Sequence, residues 1–225
     1  MTNDNRPVFP AIHMPQFADQ ALPDVVTAKL HHPVTPELGD VAGATRTALE
    51  KSRRFAELAK GARVAITCGS RGIQSKPVVV ATAVAWLRER GFEPFIVPAM
   101  GSHGGATPEG QAGLLADYGV TAASMGVPVR ASMGTESLGQ VEGGQDVPWS
   151  REALAADGVI VINRVKPHTD FDGPMGSGLT KMLVVGLGKH AGASAYHAAA
   201  LTLGYEAALM RLAKVVFARA PILGG

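Results

Sequence analysis

Three stretches of this chain are built as strands for the interior of a sheet: ARVAITCG (62–69), PFIVPAMG (94–101) and GVIVINRVK (158–166). The third is almost continuously aliphatic and β-branched, which only a strand covered on both faces requires. The first runs into the turn SRGI and then SKPVVVATAVAWLRERG, where Ser75 is placed as an N-cap, Pro77 sits in the first helical turn and Gly91 stops the helix. The second runs into SHGGA and then TPEGQAGLLADYG, with Pro108 just inside the helix start. Strand, turn and helix in alternation predict an α/β, Rossmann-like, mostly parallel sheet with helices on both faces. Ligands of such sheets bind beyond the carboxyl ends of the strands.

Around that frame the patterning predicts further elements. DVVTAKLH (24–31) alternates as a strand, and residues 41–59 place Val41, Ala44, Ala48, Phe55 and Ala59 on one helical face. VPVRAS (127–132) and SLGQVE (137–142) are expected as edge strands, and WSREALAADG as a short helix capped by Ser150. A long helix is expected over 193–219, with Leu201, Tyr205, Ala208, Leu212 and Val215 as its buried stripe.

Composition removes several function classes. Lys and Arg total 21 against 19 Asp and Glu, a balance with no basic block to follow a nucleic-acid backbone. No apolar run is long enough to span a bilayer, so neither nucleic acid nor membrane is expected as a partner. The opening MTNDNRPVFP lacks a charged-then-apolar leader, and the single cysteine, Cys68, has no internal partner; both predict a cytoplasmic protein. The last residues, VVFARAPILGG, form an apolar end without a polar tail, from which we expect a fragment cut at a domain boundary.

The chemistry concentrates in KPHTDFDGPMGSGLTKMLVVGLGKHAGASAYH (166–197), where histidines, lysines and glycines flank an aliphatic run. The three strong strands lead into Ser70-Arg71, Ser102-His103 and Lys166-Pro167-His168. Each side chain has an ordinary reading beside its functional one. Arg71 is either a solvated loop arginine or a planar fork for a carboxylate. His103, among small neighbours, is either polar surface or a general base. His168 either caps a strand end or lines the site, and Lys181 either snorkels or holds a desolvated amine. His197 extends the predicted buried stripe backwards by one turn, which favours a satisfied core histidine over a ligand. No CxxC or HExxH spacing is present, and GSHGG and GSGLTK lack the spacing of a phosphate-binding loop.

Taken together, Arg71, His103, His168, Ser177-Gly178-Leu179-Thr180-Lys181 and His197 resemble the signature of the N-terminal domain of the nickel-dependent lactate racemase family. That resemblance covers most of the chain from about residue 62 and treats 1–225 as one such domain, with the family's C-terminal domain as a missing partner. It implies a 2-hydroxy-acid racemase or epimerase using a nickel-pincer nucleotide, a pyridinium-derived cofactor carrying Ni. By resemblance, His103 and His168 are the acid/bases, and Arg71 with Ser70 binds substrate. Lys181, Ser177, Gly178 and Lys166 hold the cofactor, and His197 ligates the metal. The family's first motif is Asp-His-Thr-Arg, whereas this chain has Cys68-Gly69-Ser70-Arg71. Rival readings are an isomerase of a sugar acid with the same cofactor and a cofactor-free binding protein of the same fold; a homo-oligomer is compatible with either.

Overall fold

The computed structural model describes residues 15, 24, 26–29, 36–70, 72–164 and 178–225. The chain divides into two compact units, residues 1–37 and 38–225. In the first, 26–29 is irregular and exposed, with Val26 at 84%, so the expected strand over 24–31 is not formed there. Alternation alone makes no strand: the ladder needs a neighbour, and none pairs with this segment among the described residues.

The second unit carries the fold. Helix α1 (Val41–Glu50) leads through a 3-10 turn (Arg53–Glu57) to β1 (Arg63–Cys68), α2 (Lys76–Glu89) and β2 (Glu93–Pro98). Helices α3 (Pro108–Asp117) and α4 (Ala122–Met125) precede a hairpin of β3 (Thr135–Gln140) and β4 (Asp146–Ser150). The short α5 (Arg151–Leu154) then gives way to β5 (Gly158–Ile162). Next come α6 (Leu179–Lys181), a π-helical turn (Met182–Gly186), α7 (Lys189–Leu203), α8 (Tyr205–Arg219) and β6 (Ile222–Gly224). The main sheet has the order β2-β1-β5-β6, and every pairing in it is parallel.

Because strand side chains alternate, the sheet separates two cores. Ala65, Phe95, Val97, Val159 and Val161 face Leu183, Leu187, Tyr196, Leu209 and Leu212, together with Trp149 of the hairpin. Val64, Ile66, Ile96 and Ile160 face Val80, Val84, Leu87 and Leu115 on the other side. Helices therefore cover both faces, as the strand patterning predicts.

Several expectations need correction. The helix over 41–59 breaks after Glu50, because Ser52 adopts an extended backbone and its hydroxyl donates to Leu223 O at 2.8 Å. Ser75 occupies the N-cap position of α2 but makes no capping bond, whereas Thr107 does cap α3, accepting from Gly110 N at 3.0 Å. Residues 127–132 contribute one bridge, Val129 to Ile96, rather than a strand. Segment 137–142 pairs with β4 in a separate hairpin instead of edging the main sheet. The long helix is two, divided at Gly204, whose φ of 79° no other residue adopts comfortably. As a result Leu201 is 90% exposed and Tyr205 38%, while Ala208 and Leu212 remain buried. The apolar Ile222–Gly224 forms β6, with Leu223 buried against the second core.

Ile66, at the centre of β1, is fully buried. Ile66→Ala should lower unfolding free energy by about 2–5 kcal/mol in urea titration, through lost transfer energy and a residual cavity. Phe217→Ala, at a residue 55% exposed, should stay within about 0.5 kcal/mol of wild type.

Candidate functional site

The strand order fixes where a ligand belongs. From β1 the chain moves outward to β2 on one side, and β5 and β6 lie on the other, so the switch of winding direction falls between β1 and β5. The crevice beyond the carboxyl ends of those two strands is the expected binding site. The segments leaving β2, β1 and β5 are the ones that carry His103, Arg71 and His168. Their three strands are contiguous and parallel, so all three segments leave from one edge.

Beyond β1, the turn Gly69-Ser70 is held from two sides. Lys76 Nζ donates to Gly69 O at 2.8 Å and lies 3.9 Å from the centre of the Tyr118 ring, whose hydroxyl donates to Ser70 O at 2.9 Å. Lys76 is 1% exposed, and burial lowers its affinity for a proton, with Cys68 acting in the opposite sense. Burial also pushes the Cys68 thiol up to about 12, against the pull of Lys76, so Cys68 is a neutral, inert thiol. A Cβ on Gly69 would come 3.0 Å from Met182 Cε, so the turn after β1 lies directly against the π-turn.

Beyond β2, residues 99–107 form a tight loop. His103 is exposed and precedes the 3-10 turn Gly104–Ala106. That turn is pressed onto the start of α3: a Cβ on Gly104 would meet Gly110 C at 2.6 Å, and Gly104 itself has a φ of 66°. Buried Gln111 donates from Nε2 to Gly101 O at 2.9 Å and His103 O at 3.3 Å.

The aliphatic run MLVVG is the π-turn, in which Leu187 N bonds back to Met182 O at 2.8 Å. Carbonyls along this segment serve outside donors. Leu183 O accepts from Trp149 Nε1 at 2.8 Å, Gly186 O from Gly101 N at 3.0 Å, and Leu187 O from Ser150 N at 2.7 Å. Gly186 admits no side chain, since a Cβ would stand 2.7 Å from Ala99 O. The π-turn thus touches the turn after β1 and the loop after β2, and it is itself reached through the segment after β5. Single π-turns of this kind occur frequently at functional sites.

Residues 16–208 match the family model described as lactate racemase N-terminal domain. The chain belongs to that family. No curated protein matches it.

Among the residues singled out from the sequence of this lactate racemase N-terminal domain, Ser70, His103, Gly178, Lys181 and His197 are described. Ser70 is half-buried, Gly178 is buried with a φ of 99°, and Lys181 is half-buried at the head of the π-turn. Arg71, Lys166, His168 and Ser177 lie outside the described residues. His197 corrects an expectation: it is exposed on α7, with the ring centres of buried Tyr196 and of Tyr205 5.1 and 6.3 Å away, because the buried stripe of α7 runs through Ala193, Tyr196 and Ala199 and leaves position 197 off it. The favoured reading of His197 as a core histidine therefore fails on exposure. Among the described residues no three His, Cys, Asp or Glu side chains gather into an all-protein metal site.

Sequence reasoning passed over Lys189, Gln111 and Lys76. Lys189 is fully buried at the first position of α7, donating to Pro98 O at 2.6 Å and Gln111 Oε1 at 3.1 Å. Burial pulls its ammonium down to about 8, with Glu152 pulling it back upward. In the sequence Lys189 stands between Gly188 and His190 after an aliphatic run, a pattern that does not by itself separate a buried lysine from a surface one.

The lowered proton affinity of Lys189 has a definite sign. Its ordinary value is 10.5, so between about 8 and that value the unfolded chain binds more protons than the folded one. Stability from this group rises with pH across that window. Cys68 acts oppositely above its ordinary 9.0, so the clean quantity is a difference between variants. In urea titrations the stability of wild type relative to Lys189→Met should increase from about pH 7.5 to about pH 10; a pH-independent difference would show that the buried amine is not desolvated.

Proposed function

We propose that this protein is a racemase or epimerase of a 2-hydroxy acid that works with a nickel-pincer nucleotide and with the C-terminal domain typical of its family. The observation that carries the reading is the meeting of the π-turn with the strand-end segments at the switch point of a lactate racemase N-terminal domain.

The donor types suit a metal that arrives inside an organic ligand. A metal bound by protein alone needs three or four side chains, whereas a pincer brings most of its own donors. The exposed imidazole of His197 would supply one bond to nickel. The half-buried Lys181, next to the backbone of Gly178 in a conformation open to glycine, would hold the organic part with Ser177 and Lys166. The chemistry that such a group would supply when bound is reversible hydride transfer at the substrate carbon.

The chain's own groups do the rest. Arg71, beside Ser70, would fix the substrate carboxylate with paired N–H donors, which leaves the hydroxyl-bearing carbon as the free end. His103 and His168 would exchange the hydroxyl proton, each serving one enantiomer, since a mirror-image pair presents its hydroxyl from two directions. The rigid turn at Gly69-Ser70, held by Lys76 and Tyr118, would keep Arg71 from drifting with its substrate.

Lactate itself is not favoured among the hydroxy acids. Where the family motif resembles Asp-His-Thr-Arg, this chain has a buried neutral thiol at Cys68 and no side chain at Gly69. Met182 Cε fills the space a side chain at Gly69 would take. Contacts from an aspartate and a histidine are therefore replaced by apolar surface, which fits a hydroxy acid with a different substituent.

Protein produced alongside cofactor-making enzymes should carry near-stoichiometric nickel, falling about tenfold or more in His197→Ala. A nickel-free wild type would refute this chemistry. On a panel of optically pure 2-hydroxy acids followed by loss of optical rotation, His103→Gln should lower kcat by about 100-fold or more in both directions.

A further inference from the structure

Among the described residues, two non-glycine positions hold a positive φ: Ala106 at 55° and Lys189 at 57°. Ala106 closes the loop that presents His103, and Lys189 opens the helix that presents His197. Left-handed backbone in such residues persists only where the surroundings over-determine it, and it concentrates at functional sites. One chain of hydrogen bonds joins the two positions. Lys189 Nζ donates to Pro98 O at 2.6 Å and to Gln111 Oε1 at 3.1 Å. Gln111 Nε2 donates to Gly101 O at 2.9 Å and His103 O at 3.3 Å.

The direction of this chain is dictated by chemistry. An ammonium has donors and no acceptor, so the Gln111 amide must turn its oxygen toward Lys189 and its NH2 toward the loop. Both side chains are fully buried, so water cannot substitute for either partner. A buried ammonium is also a poor choice for stability alone, since an apolar residue of similar length is cheaper to bury. What it supplies here is orientation.

We propose that Lys189 and Gln111 are positioning residues, a buried strut that sets the place of the His103 loop relative to the helix bearing His197. This rests on the acid/base reading of His103 given above. The strut acts through the backbone carbonyls of Gly101 and His103, and neither side chain touches substrate.

Gln111→Glu in the full chain separates the two halves of the strut, because a carboxylate keeps the bond to Lys189 and loses both donors to the loop. Amide exchange at Gly101, His103 and Ala106 should accelerate about tenfold or more, as expected for loss of local protection. Ile66 in β1 and Ile160 in β5 should exchange as in wild type. The His103 ring signal in 15N-histidine-labelled protein should shift. Lys189→Met should give the same local pattern, and Gln111→Glu carries the test alone if that variant does not fold. Unchanged loop exchange with an unchanged His103 signal, or equal acceleration at Ile66 and Ile160, overturns the proposal. A loosened loop in nickel-loaded protein that keeps wild-type kcat sinks the acid/base reading of His103 and leaves the strut standing.

Discussion

The arrangement depends on the π-turn at Met182–Gly186. An α-helix consumes its own carbonyls, whereas the wider turn frees some of them. In this protein Leu183 O receives the Trp149 indole and Gly186 O the Gly101 amide, with Leu187 O just beyond receiving Ser150 N. One distorted turn therefore fastens the β3–β4 hairpin and the His103 loop to the same element. Its side chains complete the job: Met182 fills the space above Gly69, and the missing side chain of Gly186 lets Ala99 approach. A regular helix at this place would leave those donors without partners, at a cost of about 1–3 kcal/mol for each buried group.

Two buried lysines then stiffen what the π-turn gathers. Strand carbonyls at the carboxyl edge of a parallel sheet run out of ladder partners, and a lysine offers three donors on a compact head. Lys76 meets Gly69 O, and Lys189 meets Pro98 O, at the ends of the neighbouring strands β1 and β2. The hydrogen-bond acceptors are neutral, and Glu152 is a carboxylate that acts on Lys189, so each ammonium is held mainly by carbonyl and amide dipoles. Desolvation opposes this charge, as the lowered proton affinity of both groups records.

The legible part of the fold was the part encoded by local pattern. The strands at 63–68, 93–98 and 158–162 needed only their aliphatic runs, and Pro108 and Gly91 marked helix boundaries by backbone constraint alone. What sequence did not reveal depended on tertiary partners. The π-turn has the composition of a strand, and its carbonyl partners come from Trp149, Ser150 and Gly101, remote in the chain. The hairpin strand β4 was hidden because Asp146–Ser150 contains Pro148 and only two aliphatic or aromatic residues. Gly204 was passed over inside a run of helix formers, and α7 buries Ala193, Tyr196 and Ala199 instead of the expected stripe through His197 and Leu201. In the site, exposed His103 was visible as a histidine among glycines. Gln111 and Lys189 were not, because a buried polar pair shows itself only once its elements are packed.

Strain gives the last link between this packing and the proposed chemistry. Ala106 and Lys189 each hold a left-handed backbone that costs roughly 1–3 kcal/mol. Glycine at either place would relieve it, yet the chain keeps residues with a side chain at both. For Lys189 the reason is visible: the buried ammonium must reach Pro98 O, and only a helix that starts with this kink brings it there. The same kink lets α7 begin directly after Gly188, where a Cβ would collide with Val184 O at 2.3 Å. Helix α7 is therefore aimed by the π-turn behind it and by the strut beside it. His197 lies about 12 Å along that helix from Lys189 at 1.5 Å per residue. Its direction is thus inherited from the same contacts that place His103, which couples the proposed metal ligand to the proposed base through the fold itself.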